Sequence, residues 1–388
     1  MGGAGMRHAA EHSAGAYLAS VMRAAEVDSW PAQLAMGFGQ ALEELCEHAG
    51  LEAAAVCDPA STRTQRYFSE CVDKMAFASL LSAAPLLDKA RLLSVSGPGA
   101  GAWLGVIPSV VIGYVLSPPE FSALPKWWCG LDIFGAVFAC PGCGTAMDLA
   151  GYHALTCRSM GSFGVRHNAL REIFLRFLTT ARIPAVREAP SLLPGTAARP
   201  ADIFVPNFAA SQAACLDFAI THTQQPNILQ RASVCGGAAA EQYEVAVKDE
   251  KFGAACAAAG LLLVPMVVEV FGRWGERSEE AFKLVSKACA SGASEKVVAA
   301  VGHIRRSLSV GLQRLNARIL LAHADPQAEV FTEPVSVEPS AVGLFFSDTV
   351  ADALDMQLSP ADARARLREV VRLTCLCGFL DDDVLVEL

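Results

Sequence analysis

In the stretch Arg199-Pro-Ala-Asp-Ile-Phe-Val-Pro-Asn-Phe-Ala-Ala-Ser-Gln-Ala-Ala-Cys-Leu-Asp-Phe-Ala-Ile-Thr221, two apolar runs flank a short polar and alanine turn, and each run carries one aspartate. Both runs have the composition of β-strands, which predicts a hairpin. If the hairpin is centred between Ala209 and Ala210, Asp202 lies directly opposite Asp217. Cross-strand partners on one face have Cβ atoms about 5 Å apart, so we expect the two carboxyl groups to lie side by side.

The hairpin belongs to a longer series of helices and strands. One helix is predicted at 168–182, where Asn168 can cap its start, and an alanine-rich helix at about 237–259 ends before Gly260. Extended runs lie at 184–189, 202–206, 214–221 and 261–270. The resulting order, α-β-β-β-α-β, predicts an α+β fold.

Helical patterns dominate both flanks of this core. On the N-terminal side we expect helices at about 14–25, 33–48 and 66–91, and on the C-terminal side at about 278–290, 294–321 and 360–373. The predicted organisation has five segments: a helical region 1–93, a connector 94–139, a cysteine and histidine cluster 140–165, an α+β core 166–275 and a helical region 276–388.

The composition indicates a folded protein. Hydrophobic residues make up 53% of the chain and charged residues only 18%, so a substantial core can form. The net charge of -9 argues against a wholly basic nucleic-acid coat protein, but it is compatible with a local basic surface. Thirteen cysteines without a recognisable secretory leader indicate reduced thiols in the cytosol or nucleus, not secretion. No membrane span is expected, because the uncharged stretch 101–116 is short and is interrupted by Pro108.

The cysteine and histidine cluster has the spacing C-x2-C-x9-H-x3-C, formed by Cys140, Cys143, His153 and Cys157. Zinc prefers four tetrahedral ligands of these two types. His153 and Cys157 lie one helical turn apart, so both can face one ion. The cluster therefore predicts a structural zinc site, because four protein ligands leave no open position. The alternative is a set of buried or stray cysteines beside a surface histidine.

The two aspartates predict a second, harder metal site. Carboxylates at cross-strand spacing suit Mg²⁺ or Mn²⁺, and Asp217 is flanked by apolar residues that make an unpartnered charge costly. Lys248 lies on the helix expected to cross the sheet, where an ammonium group can position water and steady the charge of a phosphate. Glu244 precedes Lys248 by one turn and could assist as a ligand. The alternative for Glu244 and Lys248 is an ordinary surface ion pair.

The combined order of motifs resembles the C-terminal region of non-LTR retrotransposon reverse-transcriptase proteins that carry a restriction-like endonuclease. In that family a CCHC zinc knuckle is followed by an R-H-N motif and a PD-(D/E)xK nuclease core. The matching positions here are Cys140, Cys143, His153 and Cys157, then Arg166-His167-Asn168, then Asp202, Asp217 and Lys248. The stretches 99–104 and 264–272 also resemble parts of these proteins, so the likeness covers about residues 94–322.

The resemblance implies a function and its partners. The chain is expected to be a metal-dependent DNA endonuclease that nicks a strand by phosphodiester hydrolysis, acting in the nucleus after import from the cytoplasm. DNA is the implied partner; binding of element RNA and the oligomeric state are left open. The residues expected to contact DNA are Arg166, His167, Arg171, Arg199 and Lys251. The alternative is a catalytically inactive, zinc-containing DNA-binding or assembly module.

Three departures from the family pattern bear on activity. The first motif is Arg-Pro-Ala-Asp202, with an extra residue before the carboxylate, and Ala219 stands where the common superfamily pattern has lysine. Phe252 replaces a tyrosine that often follows the second lysine. No Tyr-x-Asp-Asp polymerase signature occurs, so the chain is expected to be a detached or truncated element-derived protein.

Overall fold

The structure is a computed structural model that describes residues 9–25, 32–57, 64–109, 113–159, 162–209, 212–289 and 294–324. The contacts divide the chain into two compact units. The N-terminal unit comprises Met1–Ser96 with Thr223–Gly236, and the second unit comprises Gly97–His222 with Gly237–Leu388. The helix expected at 360–373 lies outside the described residues.

The helices and strands of the described ranges follow one another in a mixed order. The helices are α1 Ala9–Ala25, α2 Ala32–Ala49, α3 Ala53–Val56, α4 Gln65–Ala83, α5 Leu86–Val95, α6 Pro118–Cys129, α7 Tyr152–Thr156, α8 Ser162–Thr180, α9 Leu229–Ala232, α10 Ala238–Tyr243, α11 Ala254–Ala258, α12 Glu276–Cys289 and α13 Ser294–Ala322, with a 3₁₀-helix Ala100–Gly105 and a π-helix Glu244–Gly253. The strands are β1 Val186–Arg187, β2 Ile203–Ala209, β3 Gln212–Thr221 and β4 Leu262–Glu269.

The N-terminal unit is built on three mutually packed helices, α1, α2 and α4. Their core contains the fully buried side chains Leu18, Leu45 and Phe68. Residues 66–91, expected as one helix, form two, because α4 ends at Ala83 and α5 begins at Leu86. Pro85 explains the break: proline disfavours helical backbone at the residue before it, and Ala84 is extended at ψ 146°.

The second unit contains a four-stranded sheet in the order β1-β2-β3-β4. The first two pairs are antiparallel, and β4 joins β3 in parallel. Ile203 pairs with Leu216 and Val205 with Ala214, which is the register expected for a hairpin that sets Asp202 against Asp217. The ladder shifts between Val205 and Ala209. The α+β class and the order α-β-β-β-α-β are confirmed over residues 162–269.

The two faces of β3 pack against different helices. Leu216 and Phe218 point into the main core, where the Phe218 ring lies 5.9 Å from that of Phe174 on α8. Helices α12 and α13 close the same core. On the opposite face Cys215 packs against Cys256 and Ala219 against Ala240. Because side chains alternate along a strand, Asp217 shares this second face with Cys215 and Ala219.

Three local expectations are corrected. Asn168 does not cap α8, since the helix begins six residues earlier at Ser162. The connector contains α6, whose capping box joins Ser117 and Glu120, a signal visible in Ser-Pro-Pro-Glu. The long helix expected at 237–259 is divided into α10, the π-helix and α11, because residues 244–253 make i→i+5 bonds.

Arg166 is a packing residue and not the exposed DNA contact expected from the sequence. Its side chain is 1% exposed and donates to Asn316 Oδ1 at 3.0 Å and to the carbonyl of Leu155 at 2.7 Å. Burial lowers the pKa of Arg166 to about 10, so the guanidinium remains charged near neutral pH. It therefore ties α7 and α13 to α8.

We expect Arg166→Ala to lower the free energy of unfolding by about 3 kcal/mol, because two buried acceptors lose their donor. Urea denaturation followed by circular dichroism measures the change. Arg176→Ala is the matched control, since Arg176 lies exposed on the same helix. Equal stabilities of the two variants would contradict the anchoring role.

Candidate metal site and acidic site

The four residues of the predicted zinc knuckle come together in the second unit. One ligand atom from each of Cys140, Cys143, His153 and Cys157 lies within 4.8 Å of the others. Cys140 Sγ is 3.8 Å from Cys157 Sγ, and Cys143 Sγ is 3.2 Å from His153 Nε2. With Zn–S bonds of about 2.3 Å, two sulfurs of a tetrahedral site lie about 3.8 Å apart. The cluster could therefore bind a metal ion such as zinc.

Local backbone geometry produces this arrangement. The segment after Cys140 folds back, with the Cys140 N–H donating to the carbonyl of Thr145 at 2.8 Å, and Gly144 adopts φ 73°, which favours glycine. Asp148 caps the start of α7 by accepting from the N–H groups of Tyr152 and His153 at 2.8 and 2.7 Å. The cap fixes the turn that carries His153.

The thiols of the cluster differ in acidity. Hydrogen bonds from the side chain and backbone of Thr145 lower the pKa of Cys143 to about 6, which favours the thiolate that binds metals. Burial raises the pKa of Cys157. Cys143 is exposed whereas Cys140 and Cys157 are buried, so the cluster lies at the protein surface with one open side.

The two aspartates of the hairpin meet as predicted, and Lys248 joins them. Lys248 Nζ is 2.7 Å from Asp217 Oδ1 and donates to the carbonyl of Phe218 at 3.1 Å. The carboxyl groups of Asp202 and Asp217 are close enough to hydrogen-bond when one of them is protonated. The side chains of Asp217 and Lys248 are 10% and 12% exposed, so this ion pair is largely shielded from water.

His167 completes the acidic site. Its Nε2 lies 2.9 Å from Asp202 Oδ2, and the same oxygen accepts from the Phe218 N–H at 2.7 Å. Burial raises the pKa of Asp202, but the hydrogen bond and charge of His167 outweigh it and hold the pKa below its ordinary value. The hydrogen bond with Asp202 correspondingly raises the pKa of His167. His167 thus contacts Asp202, whereas the sequence predicted a DNA contact.

Asp217 is the residue of the site whose charged form is most disfavoured by burial. Burial raises its pKa to about 6, with Lys248 opposing that shift and Asp202 adding to it. Asp217 Oδ2 is buried and has no hydrogen-bond donor among the described residues. A buried carboxylate oxygen without a donor is rare in folded proteins, and one explanation is a cation that the oxygen binds.

Of the remaining predicted DNA contacts, one is buried, two are exposed, and both arginines are already paired. Arg171 is buried and forms ion pairs with Glu172 and Glu188. Arg199 is 62% exposed and lies 3.6 Å from Glu188. Lys251 is exposed, with its ammonium group 4.6 Å from the ring centre of Phe252. The structure therefore ties both arginines to glutamates.

Glu244 does not pair with Lys248. Glu244 is 5% exposed, and its carboxyl group lies against Gly275, where an added Cβ would overlap Glu244 Oε1. Burial raises its pKa to about 7, and the charges acting on it most belong to Arg277, Asp249, Glu241 and Glu276. None of these four residues belongs to the predicted acidic site. The structure therefore places Glu244 beside Gly275.

Tyr243, which the sequence did not single out, also lies at the acidic site. The ring centre of Tyr243 is 5.9 Å from Lys248 Nζ, and the charges of Asp217 and Arg158 both act on the Tyr243 hydroxyl. No spacing signal could reveal Tyr243, since residues five apart do not face each other on an ordinary α-helix. The i→i+5 bonding that begins after Tyr243 brings the two side chains together.

Comparisons with protein-family models, curated proteins and solved structures found no match to this chain. Among the helices of the described ranges, none combines the length and apolar character needed to cross a membrane.

The purified protein is expected to carry about one zinc ion per chain, and Cys143→Ser to lose it, because three ligands hold zinc less tightly than four. Elemental analysis after gel filtration measures the ratio. Cys235→Ser, at an exposed cysteine outside the cluster, should retain the metal. Equal zinc in both variants would refute the assignment of Cys143 as a ligand.

Glu244→Gln is expected to stabilise the protein at pH 8 by about 3 kcal/mol. The folded-state pKa of about 7 exceeds the ordinary value of 4.5, so the folded protein binds the extra proton between these pH values. That contribution to stability is fully present below pH 4.5 and is lost as the pH rises through 7. Urea denaturation at pH 5 and pH 8 measures it. Glu250→Gln, at an exposed position on the π-helix whose charge is not among those acting on Glu244, should show no such pH-dependent gain.

Proposed function

We propose that this protein is a metal-dependent DNA endonuclease that nicks a strand by phosphodiester hydrolysis. One observation carries the proposal: two neighbouring carboxyl groups, Asp202 and Asp217, are held at the end of a buried hairpin with Lys248 bonded to one of them. Carboxylate pairs of this kind hold the divalent ions that phosphodiester hydrolysis requires. The resemblance to the restriction-like endonucleases of non-LTR retrotransposons points to the same chemistry.

The donor set fits a hard divalent cation. Asp202 and Asp217 offer oxygen ligands, which Mg²⁺ and Mn²⁺ prefer, and Asp217 Oδ2 is buried without a donor among the described residues. The order α-β-β-β-α-β and the lysine supplied by the following helix agree with a PD-(D/E)xK core. That lysine compensates for Ala219, which stands where the common superfamily pattern has lysine.

Each group of the acidic site would have a separate role in the reaction. Mg²⁺ or Mn²⁺ held by Asp202 and Asp217 would supply Lewis-acid activation of the phosphate. Lys248 has three N–H donors, of which Asp217 and the Phe218 carbonyl use two, so one remains to orient water or a phosphate oxygen. His167 and the Phe218 N–H hold the Asp202 carboxylate in one orientation.

The Cys3His cluster would have a supporting role. Four protein ligands leave no open position on a zinc ion, so zinc there stabilises the fold and takes no part in hydrolysis. DNA is the proposed partner, and the nucleus is the proposed location because it holds the substrate. The exposed side chains of Arg199 and Lys251 would meet the phosphate backbone.

A second candidate function is a catalytically inactive, zinc-containing DNA-binding or assembly module. The ion pair between Lys248 and Asp217 favours it, because the lysine partly neutralises the buried carboxylate without any metal. In this alternative the acidic site is a structural remnant, and only DNA binding is retained.

We expect the wild-type protein to nick supercoiled plasmid in Mg²⁺ or Mn²⁺ and Asp217→Asn to be at least about 100-fold slower, since the substitution removes a metal ligand and the partner of Lys248. Agarose gels quantify the nicked circles. Asp132→Asn, at an exposed aspartate elsewhere in the same unit, should nick at the wild-type rate.

Binding measurements separate the two candidate functions. Wild-type protein that binds DNA in a gel-shift assay and never nicks it would refute the nuclease and support the inactive module. Equal nicking by wild type and Asp217→Asn would remove Asp217 from the reaction.

A further inference from the structure

The side chain of Tyr243 lies beside Lys248 at the acidic site. Tyr243 is half-buried, and its hydroxyl forms no hydrogen bond with any residue that the structure describes. Its ring packs with Ala219, Ala240 and Val267 and lies 5.9 Å from Lys248 Nζ. The ring is therefore held by packing, and the hydroxyl keeps its hydrogen-bonding capacity for a ligand.

The hydroxyl is a hydrogen-bond donor across the physiological pH range. Burial raises the pKa of Tyr243 above its ordinary value, the charge of Asp217 raises it further and Arg158 lowers it. A protonated phenol beside a lysine suits an anionic acceptor that brings several oxygens, such as a phosphodiester.

Arg158 supplies a second donor, since it is close enough for its charge to act on the Tyr243 hydroxyl. It is exposed, follows the cluster residue Cys157 directly and has no ion-pair partner among the described residues. Arg171 and Arg199, by contrast, are bonded to Glu188. Arg158 can therefore offer its guanidinium to an incoming anion without first breaking an ion pair.

The π-helix links these groups to the acidic site. Tyr243 and Lys248 are five residues apart, and the i→i+5 hydrogen bonds of Glu244–Gly253 place residues at this spacing on one side. π-helical turns are rare in proteins as a whole, and those that do occur are often found at functional sites. The rare backbone geometry thus sets the phenol beside the ammonium group.

We propose that Tyr243 and Arg158 form a phosphate-binding subsite beside Lys248. The Tyr243 hydroxyl and the Arg158 guanidinium donate hydrogen bonds to a phosphodiester of the bound strand, which is thereby held against the acidic site. The subsite rests on the proposed nuclease function for its role in the reaction, but its binding of DNA is measurable without cleavage.

The test compares Tyr243→Phe and Arg158→Gln with wild type in two assays. Fluorescence anisotropy with a short labelled DNA duplex, in EDTA-free buffer without divalent ions, gives Kd over a range of salt concentrations. Plasmid nicking in Mg²⁺ gives KM and kcat separately. Tyr67→Phe and Arg66→Gln are matched controls from exposed positions on α4 in the N-terminal unit, and thermal melts confirm that every variant folds.

We expect Tyr243→Phe to raise Kd about 10-fold, the usual effect of losing one hydrogen bond to a charged group. Arg158→Gln should also weaken binding and reduce the slope of log K against log salt by about 1, since one phosphate contact is lost. In the nicking assay both variants should raise KM more than they lower kcat, because the contacts act on binding. The two controls should match wild type.

Each outcome decides one of the two proposals. Folded variants that bind and nick like wild type would overturn the subsite. Wild type that binds without nicking would overturn the nuclease, while weaker binding by Tyr243→Phe and Arg158→Gln would still support the subsite. A wild-type protein that neither binds nor nicks DNA would overturn both.

Discussion

The burial of the Asp217 carboxylate is the constraint on which the rest of the second unit depends. Asp217 lies in the middle of β3, with Leu216 and Phe218 in the main core on the other face. An isolated buried carboxylate costs several kcal/mol, so a sheet with this residue at its centre requires partners for it. Lys248 provides the closest one at 2.7 Å, and the raised pKa of Asp217 shows that burial still outweighs that pairing. A cation bound at this site would offset the remaining cost of burying the Asp217 carboxylate, which Lys248 offsets only in part.

The irregular helical segment formed by α10, the π-helix and α11 also bears on the need of Asp217 for partners. An unbroken α-helix from 237 to 259 would turn Tyr243 and Lys248 to different sides, whereas with the π-helix the Tyr243 ring lies 5.9 Å from Lys248 Nζ. The helix also separates Glu244 from the lysine and directs its carboxyl group against Gly275, where burial raises its pKa to about 7. One irregular segment therefore assembles the site and carries a destabilising buried acid, a combination expected where function and stability compete.

Sequence periodicity was sufficient for the strands and for the pairing of Asp202 with Asp217, because hairpin register follows from strand spacing and turn position. The Cys3His cluster was also predictable, since its ligand spacing is specific for metal binding. The failures have a common physical origin. The burial of Arg166, the contact of His167 with Asp202 and the π-helix all depend on how separate elements pack together, and local patterns carry no information on that. The DNA contacts predicted at Arg166 and Arg171 followed from charge and from the family resemblance, and the structure buries both residues.

The metal cluster and the acidic site are joined by a short series of contacts. The cluster residues His153 and Cys157 bracket α7, and the Leu155 carbonyl within that helix accepts from Arg166 at 2.7 Å. Arg166 precedes His167, whose ring holds Asp202 at 2.9 Å. Arg158 directly follows Cys157, and its charge acts on the Tyr243 hydroxyl. A metal ion that fixes α7 would thereby also hold Arg166 in place, and with it the neighbouring His167 that orients Asp202.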